Sequence, residues 1–452
     1  MSKLIARRTE FGLLLLSALI VGVALTHLEF SQGNELTSNV AWIIGGYIGV
    51  FTIAHIALSF LAPNADQIML PVAALLNGIG LVMIYRLDSA KDTTMATRQV
   101  MWSLVGIVLM ILMLVVLRDH HRMRRYSYLL GFGGLLLLAL PLVWPATSLN
   151  ADARIWISVG PFSVQPGEFS KILLLVFFAN LLVSKRTLFS VAGYRFLGMD
   201  FPRLRDLAPI LGVWALALMI MAGENDFGPA LLMFTTVLGM VYVASGRASW
   251  LLIGLGLVAV GAVGIYQISS KIQERVANFI DPVGHYDTGG YQLSQGLFGM
   301  SFGGITGTGL GQGYPHLVPV AESDFILAAI GEELGLIGLA GILLLFAIFV
   351  TRGMRTALQA KDSYGKLVAA GLSLAIAVQV FVVVGGISAL LPMTGLTTPF
   401  MSQGGSSLMA NYILLALILR ISDSSKKARK KPALYGAPLP KVGAGAPAGK
   451  VS

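Results

Sequence analysis

The sequence contains no cysteine among its 452 residues, which excludes disulfide bonds, thiolate catalysis and cysteine-ligated metal centres. It is also poor in charge, since Asp, Glu, Lys and Arg together make up only 12% of the chain, whereas soluble globular proteins carry about 25%. A soluble domain of this length would lack the polar residues needed to cover its core. The composition therefore indicates a chain embedded in lipid.

Long apolar runs fill most of the sequence, in which 56% of the residues are hydrophobic. A helix needs about 20 apolar residues to cross the hydrocarbon of a bilayer, so the runs predict an all-α, polytopic membrane bundle of about 12 spans. The first run is taken as an anchor, because no small-residue cleavage pattern follows it. The predicted spans lie near 11–28, 40–62, 67–85, 99–117, 128–144, 169–184, 207–223, 228–244, 250–268, 325–350, 367–391 and 406–420.

Positive charge is distributed unevenly between the two ends of these spans. With the N-terminus in the cytoplasm, 25 of the 32 Lys and Arg residues fall in cytoplasmic segments and seven in outer ones. Cytoplasmic loops of membrane proteins are enriched in these residues, so the pattern predicts a multi-pass protein of the cytoplasmic membrane with both termini inside. This orientation explains the net charge of +10 without a nucleic-acid partner.

Two outer segments, 145–169 and 269–324, are too long to be simple connectors. Aromatic and aliphatic residues from Tyr291 to Phe302 predict a short helix that lies in the interface or re-enters the bundle. The glycine-rich stretch 303–313 lacks the Lys and Ser/Thr of a nucleotide-binding loop. Its glycines favour a mobile loop or close approach of the backbone to a ligand.

The start of the sixth predicted span carries a dense polar motif. Gln165 and Pro166 precede Glu168, which falls in the first helical turn, where the positive helix end favours a carboxylate. Lys171 lies three residues further on and shares a face with Glu168. Two interpretations remain open, a local ion pair at the membrane interface and a polar functional site. Alternating residues just upstream, around Gly160, predict a small outer hairpin.

Other acidic residues stand at or near the outer ends of spans. Asp226 could cap the helix that follows it, face a polar cavity or hold a cation. Asp324 begins the tenth span, where a negative charge by itself favours the helix start. Glu332 and Glu333 lie further along that span, and adjacent carboxylates in a span usually face a polar cavity.

Proline and paired glycines precede the last predicted span. They predict an irregular segment at the outer membrane face that lines a cavity, which is tolerated only where protein surrounds it.

Six motifs in order together resemble the SEDS family, whose members include RodA and FtsW. The resemblance covers residues 70–422. The amino-acid sequence of its last part is more similar to RodA of actinobacterial type than to FtsW. The motifs are Arg154-x-Trp156, Gln165-Pro166-x-Glu168-x-x-Lys171, Asp226-x-Gly228, Ser323-Asp324-Phe325, Gly331-Glu332-Glu333-Leu334-Gly335 and Pro399-x-x-Ser402-x-Gly404-Gly405-Ser406.

The resemblance implies the domain organisation. Residues 67–422 would form a SEDS-type membrane polymerase core. Residues 1–66 would form an additional N-terminal helix pair, because the family typically has one pair fewer than this chain. The basic residues from 423, followed by Ala, Pro and Gly, predict a disordered cytoplasmic tail at 423–452 that lies against anionic lipid.

The resemblance also implies an activity, the polymerisation of lipid II into glycan strands during cell elongation and shape maintenance, with inversion at the anomeric carbon. Asp324 would be the general base on the extracytoplasmic side, with Glu168 and Lys171 as further catalytic residues. A helix start stabilises the ionised form and weakens such a base, whereas burial acts in the opposite direction. The implied substrate-binding residues are Arg154, Trp156, Gln165, Asp226, Glu322, Ser402, Gly404, Gly405 and Ser406.

Further expectations concern what the protein binds. A divalent cation, Mg²⁺ or Mn²⁺, is the implied cofactor. The implied partner is a class B penicillin-binding transpeptidase, and the lipid product is undecaprenyl pyrophosphate.

Two other functions compete with a polymerase. Many spans with internal glycines and intramembrane carboxylates also suit a transporter, in particular a flippase for a lipid-linked precursor. A membrane scaffold that recruits wall synthases without chemistry of its own is the second rival. Glycan formed from externally supplied lipid II would separate a polymerase from both.

Overall fold

The structure is a computed structural model that describes residues 7–33, 35–145, 153–160, 162–185, 194–196, 199–201 and 204–430. Over these residues it is an all-α bundle with two small antiparallel hairpins, which confirms the predicted fold class. The hairpins pair Ile157–Val159 with Phe162–Val164, at the predicted position, and Tyr194–Phe196 with Met199–Phe201. The helices are α1 (Arg8–Ser31), α2 (Ser38–Leu61), α3 (Met69–Lys91), α4 (Met95–Val116), α5 (His121–Arg125), α6 (Ser127–Val143), α7 (Pro166–Ser184), α8 (Leu204–Gly223), α9 (Phe227–Ser245), α10 (Ser249–Ile268), α11 (Ser270–Ile280), α12 (Tyr291–Gly303), α13 (Ile326–Gln359), α14 (Ser363–Ile387) and α15 (Gly405–Lys430).

Each predicted span coincides with a helix of the structure. Among the described residues, 10 helices are long and apolar enough to cross a membrane, judged by length and composition. They are α1–α4, α7, α9, α10 and α13–α15. Helix α6, with 17 residues, and α8, with 20, lie at the two remaining predicted spans. The chain is therefore a multi-pass membrane protein.

The bundle has buried inner helices and exposed outer ones. In α3 and α15, 89% of the most apolar stretch is buried, against 6% in α10. Lipid tails are as apolar as leucine, so the inner helices are held by close packing more than by the hydrophobic effect. Gly80 of α3 is an example, because a Cβ at this position would collide with the backbone of Met401.

One end of the bundle, here called the tail face, joins the start of α1, the α2–α3 connection and the end of α15. The Arg7 guanidinium donates to the Ala62 carbonyl at 3.0 Å. The Asn64 N–H donates to the Asp423 carboxylate at 2.8 Å. These bonds attach the first helix pair and the last helix to each other, at the point where helix ends would otherwise leave carbonyls unpaired.

Helix α15 continues past the boundary predicted at residue 423 and ends at Lys430. Asp423 and Ser425 are buried. The helix therefore extends into the predicted tail, and the contact of Asp423 with the α2–α3 connection lies at the start of this extension. The remainder of the predicted tail, 431–452, lies outside the described residues.

The opposite end, here called the loop face, carries the first hairpin and the segment 269–325. This segment forms α11, a π-helical turn at Tyr286–Gly290, α12 and a 3₁₀ turn at Pro315–Leu317. Helix α12 coincides with the helix predicted from Tyr291 to Phe302 and packs against the first turns of α13. The long loop thus contains the expected short helices.

The glycine-rich stretch 303–313 wraps around a kink in α13. Gly335 has a left-handed φ of 67° inside the helix. The N–H of the next residue, Leu336, donates to the Gly304 carbonyl at 3.0 Å, and a Cβ on Gly335 would collide with the backbone of Gly307. The glycines therefore permit close approach of two backbone segments.

Glu332 and Glu333, expected from the sequence to face a polar cavity, are both engaged by neighbouring groups of the protein. Glu333 is fully buried and pairs with Arg86 of α3 at 2.9 Å, and it accepts the Gly311 N–H at 3.0 Å. Glu332 accepts the Tyr314 N–H at 2.6 Å. A buried carboxylate is stable only when it is paired and hydrogen-bonded, and these two are used to fasten the glycine-rich stretch to the bundle.

Gly335→Ala is expected to lower the thermal stability of the protein, because alanine would have to adopt the left-handed φ and its Cβ would strike Gly307. With ψ near −168°, Gly335 occupies a backbone region that is essentially confined to glycine, and such strain costs about 1–3 kcal/mol. Gly341→Ala is the matched control in the same helix, since nothing lies within 4 Å of the added Cβ. Thermal unfolding in detergent measures both variants, and equal melting temperatures would contradict the assignment.

Candidate active site

The Glu168–Lys171 pair is buried at the start of α7. Pro166 occupies the first position of the helix, and Glu168 follows in the first turn, as the sequence predicts. Lys171 Nζ donates to Glu168 Oε2 at 2.6 Å, and the two residues are only 6% and 8% exposed. The local ion pair of the first interpretation is present, and it is buried within the protein.

Lys171 is also connected to residues 388–404, the irregular segment that precedes α15. Its Nζ donates to Gln379 Oε1 on α14 at 3.2 Å. Gln379 Nε2 in turn donates to the Thr397 carbonyl at 2.7 Å. The ammonium group is thereby fixed by two helices and one loop. No spacing pattern in the sequence points to Gln379, because it is a lone amide inside an apolar span.

A narrow cleft with an internal volume of about 20 Å³ lies beside this pair on the loop face. It is bounded by α7, by the α8–α9 connection and by Leu396 of the irregular segment. Its polar lining consists of Gln165, Glu168, Lys171, Glu224 and Asp226. Two motifs that are separated by more than fifty residues in the sequence thus face one space.

Asp226 occupies the N-cap position of α9, and a hydrogen bond with the Gly228 backbone acts to lower its pKa. Its carboxyl group also lines the cleft, so the predicted helix cap and the predicted cavity-facing position are both compatible with the structure. Glu224, two residues earlier, is 4% exposed and lines the same cleft.

The two carboxyl groups of this connection differ in charge. Burial raises the pKa of Asp226 to about 6, although the positive charges of Arg275 and Lys271 act to lower it. Burial and the neighbouring Asp226 charge raise the pKa of Glu224 to about 8. At neutral pH Glu224 is therefore mostly protonated and Asp226 mostly ionised.

Asp324 lines a second, smaller cavity that shares Leu396 with the cleft. It lies two residues before α13, where a helix start lowers a carboxyl pKa. Burial outweighs that effect and the charge of Arg275, and it raises the pKa of Asp324 to about 6. A carboxyl group with this pKa can accept a proton near neutral pH.

Arg275 of α11 places positive charge near both cavities. Its Nη1 lies 3.5 Å from the Thr394 carbonyl, at the wall of the Asp324 cavity. Its charge lowers the pKa of both Asp226 and Asp324, and Lys271, one turn earlier, acts on Asp226. In the sequence these cations are recognisable only as two charges of an outer segment, because their partners come from other helices. The site thus has a cationic wall.

The first three residues of the predicted substrate-binding set differ in their positions relative to the cleft. Arg154 donates its backbone N–H to the Glu224 carbonyl at 3.0 Å, but its side chain is exposed. Trp156 is half-buried and does not line the cleft. Gln165 does line it, and its N–H donates to Ser406 Oγ at 2.9 Å.

Glu322 and Ser402 belong to the frame of the site. Glu322 pairs with Lys91 at the end of α3, at 2.9 Å. Ser402 Oγ accepts the Thr398 N–H at 2.8 Å and donates to the Ser323 carbonyl. These bonds hold the residues before Asp324 against the irregular segment.

The irregular segment, residues 388–404, is buried from 398 to 402, as predicted, whereas Leu390 near its start is 73% exposed. Buried amides bond its free carbonyls, with Asn77 donating to Phe400 at 3.0 Å and Gln99 donating to Ser402 at 3.1 Å. Lipid could not supply such bonds.

The two predicted glycines beside this segment differ in their surroundings. A Cβ on Gly405 would come within 2.5 Å of the Trp102 ring, so this glycine permits close packing. Gly404 has more space, with Ser407 at 3.8 Å.

The carboxyl groups of the cleft do not form a ready-made centre for a divalent cation. Glu168 is engaged by Lys171, and positive charges face Asp226. Within the described residues, the one group of three metal-ligating side chains that could share an ion is Asp119, His120 and His121 on the tail face. The implied Mg²⁺ or Mn²⁺ therefore does not have a complete protein ligand set at this site.

The sequence profile of the FtsW/RodA/SpoVE cell cycle proteins matches residues 66–427. This range includes every residue of the candidate site. The chain belongs to the FtsW/RodA/SpoVE family.

Individual members of this family are similar over most of the chain. The peptidoglycan glycosyltransferase RodA of Mycobacterium tuberculosis (strain ATCC 25618 / H37Rv) is 47% identical over 428 residues, which are 93% of this chain and 91% of that protein. Stage V sporulation protein E of Bacillus subtilis (strain 168) is 33% identical over 373 residues, or 80% and 98% of the two chains. A chain solved in work on "Structural coordination of polymerization and crosslinking by a peptidoglycan synthase complex" is 26% identical, with a TM-score of 0.66, over 80% of this chain and 98% of that chain.

Lys171→Met is expected to destabilise this family member strongly, because it leaves the Glu168 carboxylate buried without its cation. Removal of one partner from a buried ion pair typically costs about 3–5 kcal/mol. The double variant Glu168→Gln/Lys171→Met should recover most of that loss, since neither charge then remains buried. Unfolding in detergent measures the three free energies, and additive losses would show that the pair is not coupled.

Turnover of the same variants separates chemistry from stability. A double variant that is stable but inactive would support a role in the reaction. Retained activity would assign the pair to structure alone.

Proposed function

We propose that the chain is a lipid II polymerase, an inverting peptidoglycan glycosyltransferase that builds glycan strands during cell elongation. The observation that carries this proposal is the pair of adjoining cavities, in which a carboxyl group with a pKa of about 6 lies near buried and half-buried cations. The proposal is supported by relatives at 46–47% identity that carry the name peptidoglycan glycosyltransferase RodA.

The reaction we propose begins with Asp324 as the general base. The Asp324 carboxylate takes the proton from the 4-hydroxyl of the acceptor sugar as that oxygen attacks the anomeric carbon of the donor. A new glycosidic bond forms with inversion, and the bond between this carbon and the lipid diphosphate breaks. Undecaprenyl pyrophosphate leaves with the electron pair of that bond.

The leaving diphosphate carries negative charge, so fixed cations stabilise it as the bond breaks. Lys171 is suited to this role because Glu168 and Gln379 hold its ammonium group in place. Arg275 and Lys271 add positive charge on the opposite side of the cleft, near Asp226. In this proposal Glu168 orients Lys171 and does not react itself.

A divalent cation remains part of the proposal only together with the substrate. Mg²⁺ is commonly held by one or two carboxylates and by substrate phosphates. Asp226, whose carboxyl group lines the cleft, is the side chain we propose to meet a Mg²⁺ or Mn²⁺ ion brought by the diphosphate. Such an ion would neutralise part of the diphosphate charge.

The partner we propose is a class B penicillin-binding transpeptidase, which would crosslink the strands as they emerge. Support comes from the solved relative, whose work describes a peptidoglycan synthase complex that coordinates polymerization and crosslinking. The substrates and product are lipid molecules, so the surrounding membrane lipids are part of the working environment. The transporter and scaffold alternatives are less favoured, because the similar proteins carry the name of a glycosyltransferase.

Asp324→Asn is expected to abolish glycan formation from purified lipid II in reconstituted membranes while the protein stays folded. An amide cannot accept the hydroxyl proton, and the substitution keeps the shape of the side chain. Glu224→Gln is the matched control, because Glu224 is already mostly protonated at neutral pH and glutamine resembles that form. Normal product from Asp324→Asn would remove Asp324 from the chemistry, and absence of product from the unaltered protein would favour a flippase or scaffold.

The pH dependence tests the same role without a substitution. Asp324 must be ionised to act as a base, so its raised pKa predicts that the rate falls as pH drops through about 6. A rate that stays constant between pH 5 and pH 7 would contradict a base with the pKa described here, about 6.

We also propose that the loop face is extracytoplasmic and the tail face cytoplasmic, which follows from the distribution of Lys and Arg. The absence of cysteine makes the test direct. A membrane-impermeant thiol reagent applied to whole cells should label Thr306→Cys, on the glycine-rich stretch, and should not label Lys361→Cys, between α13 and α14. The reverse labelling would place the site on the cytoplasmic side and contradict the proposed function.

A further inference from the structure

A second cluster of ionisable side chains lies on the tail face, at the end of the bundle opposite to the candidate active site. It consists of Asp119, His120 and His121 between α4 and α6, with Asp362 just ahead of α14. One ligand atom from each of the first three lies within 4.8 Å of the other two. The proposed polymerisation uses none of these residues.

The Asp119 carboxylate lies beside both imidazole rings. Its Oδ1 is 2.7 Å from Nδ1 of His121 and 3.7 Å from Nδ1 of His120. Ligand atoms on a tetrahedral zinc ion, with bonds of about 2.0–2.2 Å, are about 3.3 Å apart. The three atoms therefore already lie near positions from which they could share one ion.

His120 supplies an independent observation. Its side chain is only 3% exposed, and its Nδ1 has no hydrogen-bond partner within the described residues. A buried polar atom left without a partner is costly, and native structures contain few of them. This nitrogen is the ring atom on the side of Asp119, where a bound cation would give it a partner.

The other nitrogen of His120 is held by a carboxylate. Its Nε2 is 2.9 Å from Asp362 Oδ1, and the other oxygen of Asp362 accepts the Gly365 N–H at 2.6 Å. Asp362 is thus fixed as the N-cap of α14 while it orients the ring. Metal-ligating histidines almost always donate their second N–H to a carboxylate, a carbonyl or water, and this contact provides such an acceptor.

We propose that Asp119, His120 and His121 form a site for a divalent first-row transition metal such as Zn²⁺, with Asp362 positioning His120. Two imidazoles and one carboxylate suit Zn²⁺ or Co²⁺ better than Mg²⁺ or Ca²⁺, which prefer oxygen ligands. Three protein ligands leave a fourth position for water. A bound ion would attach the connection between α4 and α6 to the start of α14.

Simple ion pairing between the same residues is the competing explanation. It accounts for the His121–Asp119 contact and for the His120–Asp362 contact. It accounts less well for His120 Nδ1, which is buried and has no hydrogen-bond partner within the described residues, with the Asp119 carboxylate 3.7 Å away. Direct metal binding therefore distinguishes the two explanations.

The experiment titrates the full-length protein in detergent, without a histidine tag, with Co²⁺ and then with Zn²⁺. We expect one equivalent of Co²⁺ with the visible absorption of a tetrahedral site, and its loss as Zn²⁺ displaces it. Asp119→Asn and His121→Gln alter half-exposed side chains and should not disturb folding. Each should weaken binding by at least about tenfold, and Asp362→Asn by about 10–100-fold.

His285→Gln is the matched control, because His285 is an exposed histidine on the loop face. It should bind Co²⁺ as tightly as the unaltered protein. Absence of stoichiometric binding in the unaltered protein would overturn the proposal, and so would equal affinity in Asp119→Asn and His121→Gln. Because binding is read directly, this result does not depend on whether the chain polymerises lipid II.

Discussion

A polar group inside a lipid-embedded bundle must find its partner within the protein, because neither lipid nor bulk water can supply one. Most buried charges of this chain satisfy that constraint completely. Glu333 is paired with Arg86, and the Arg7 guanidinium is bound by carbonyls of the α2–α3 connection. These groups connect helices. Because their hydrogen-bonding positions are occupied by protein partners, they are not available for chemistry.

The candidate active site differs because its carboxyl groups are buried without full compensation. Asp324, Asp226 and Glu224 all have a raised pKa, and burial is the largest cause in each case. Such groups can exchange a proton near neutral pH. They also line cavities, whereas Glu333 is engaged by Arg86 and by the Gly311 N–H. This difference in position separates the frame of the molecule from its proposed reactive part.

The frame explains how an irregular segment can lie at the depth of helices. Residues 388–404 have no regular secondary structure of their own, so their carbonyls depend on buried amides such as Asn77 and Gln99. This segment carries Leu396, which is common to both cavities, and Thr397, which receives the hydrogen bond from Gln379. A site that must align two sugar units requires a rigidly held loop. The neighbouring helices support this loop.

The sequence by itself determined the membrane bundle, the position of every spanning helix and the family, because apolar runs and short ordered motifs are local features that survive without coordinates. It also identified Glu168, Lys171, Asp226 and Asp324. Only the tertiary structure decided which charges share a cavity. The cations at 271–275 and the amide Gln379 reach the site from helices distant in sequence, and burial, which raises the pKa of Asp324 against the effect of its helix start, is a property of the packed bundle alone.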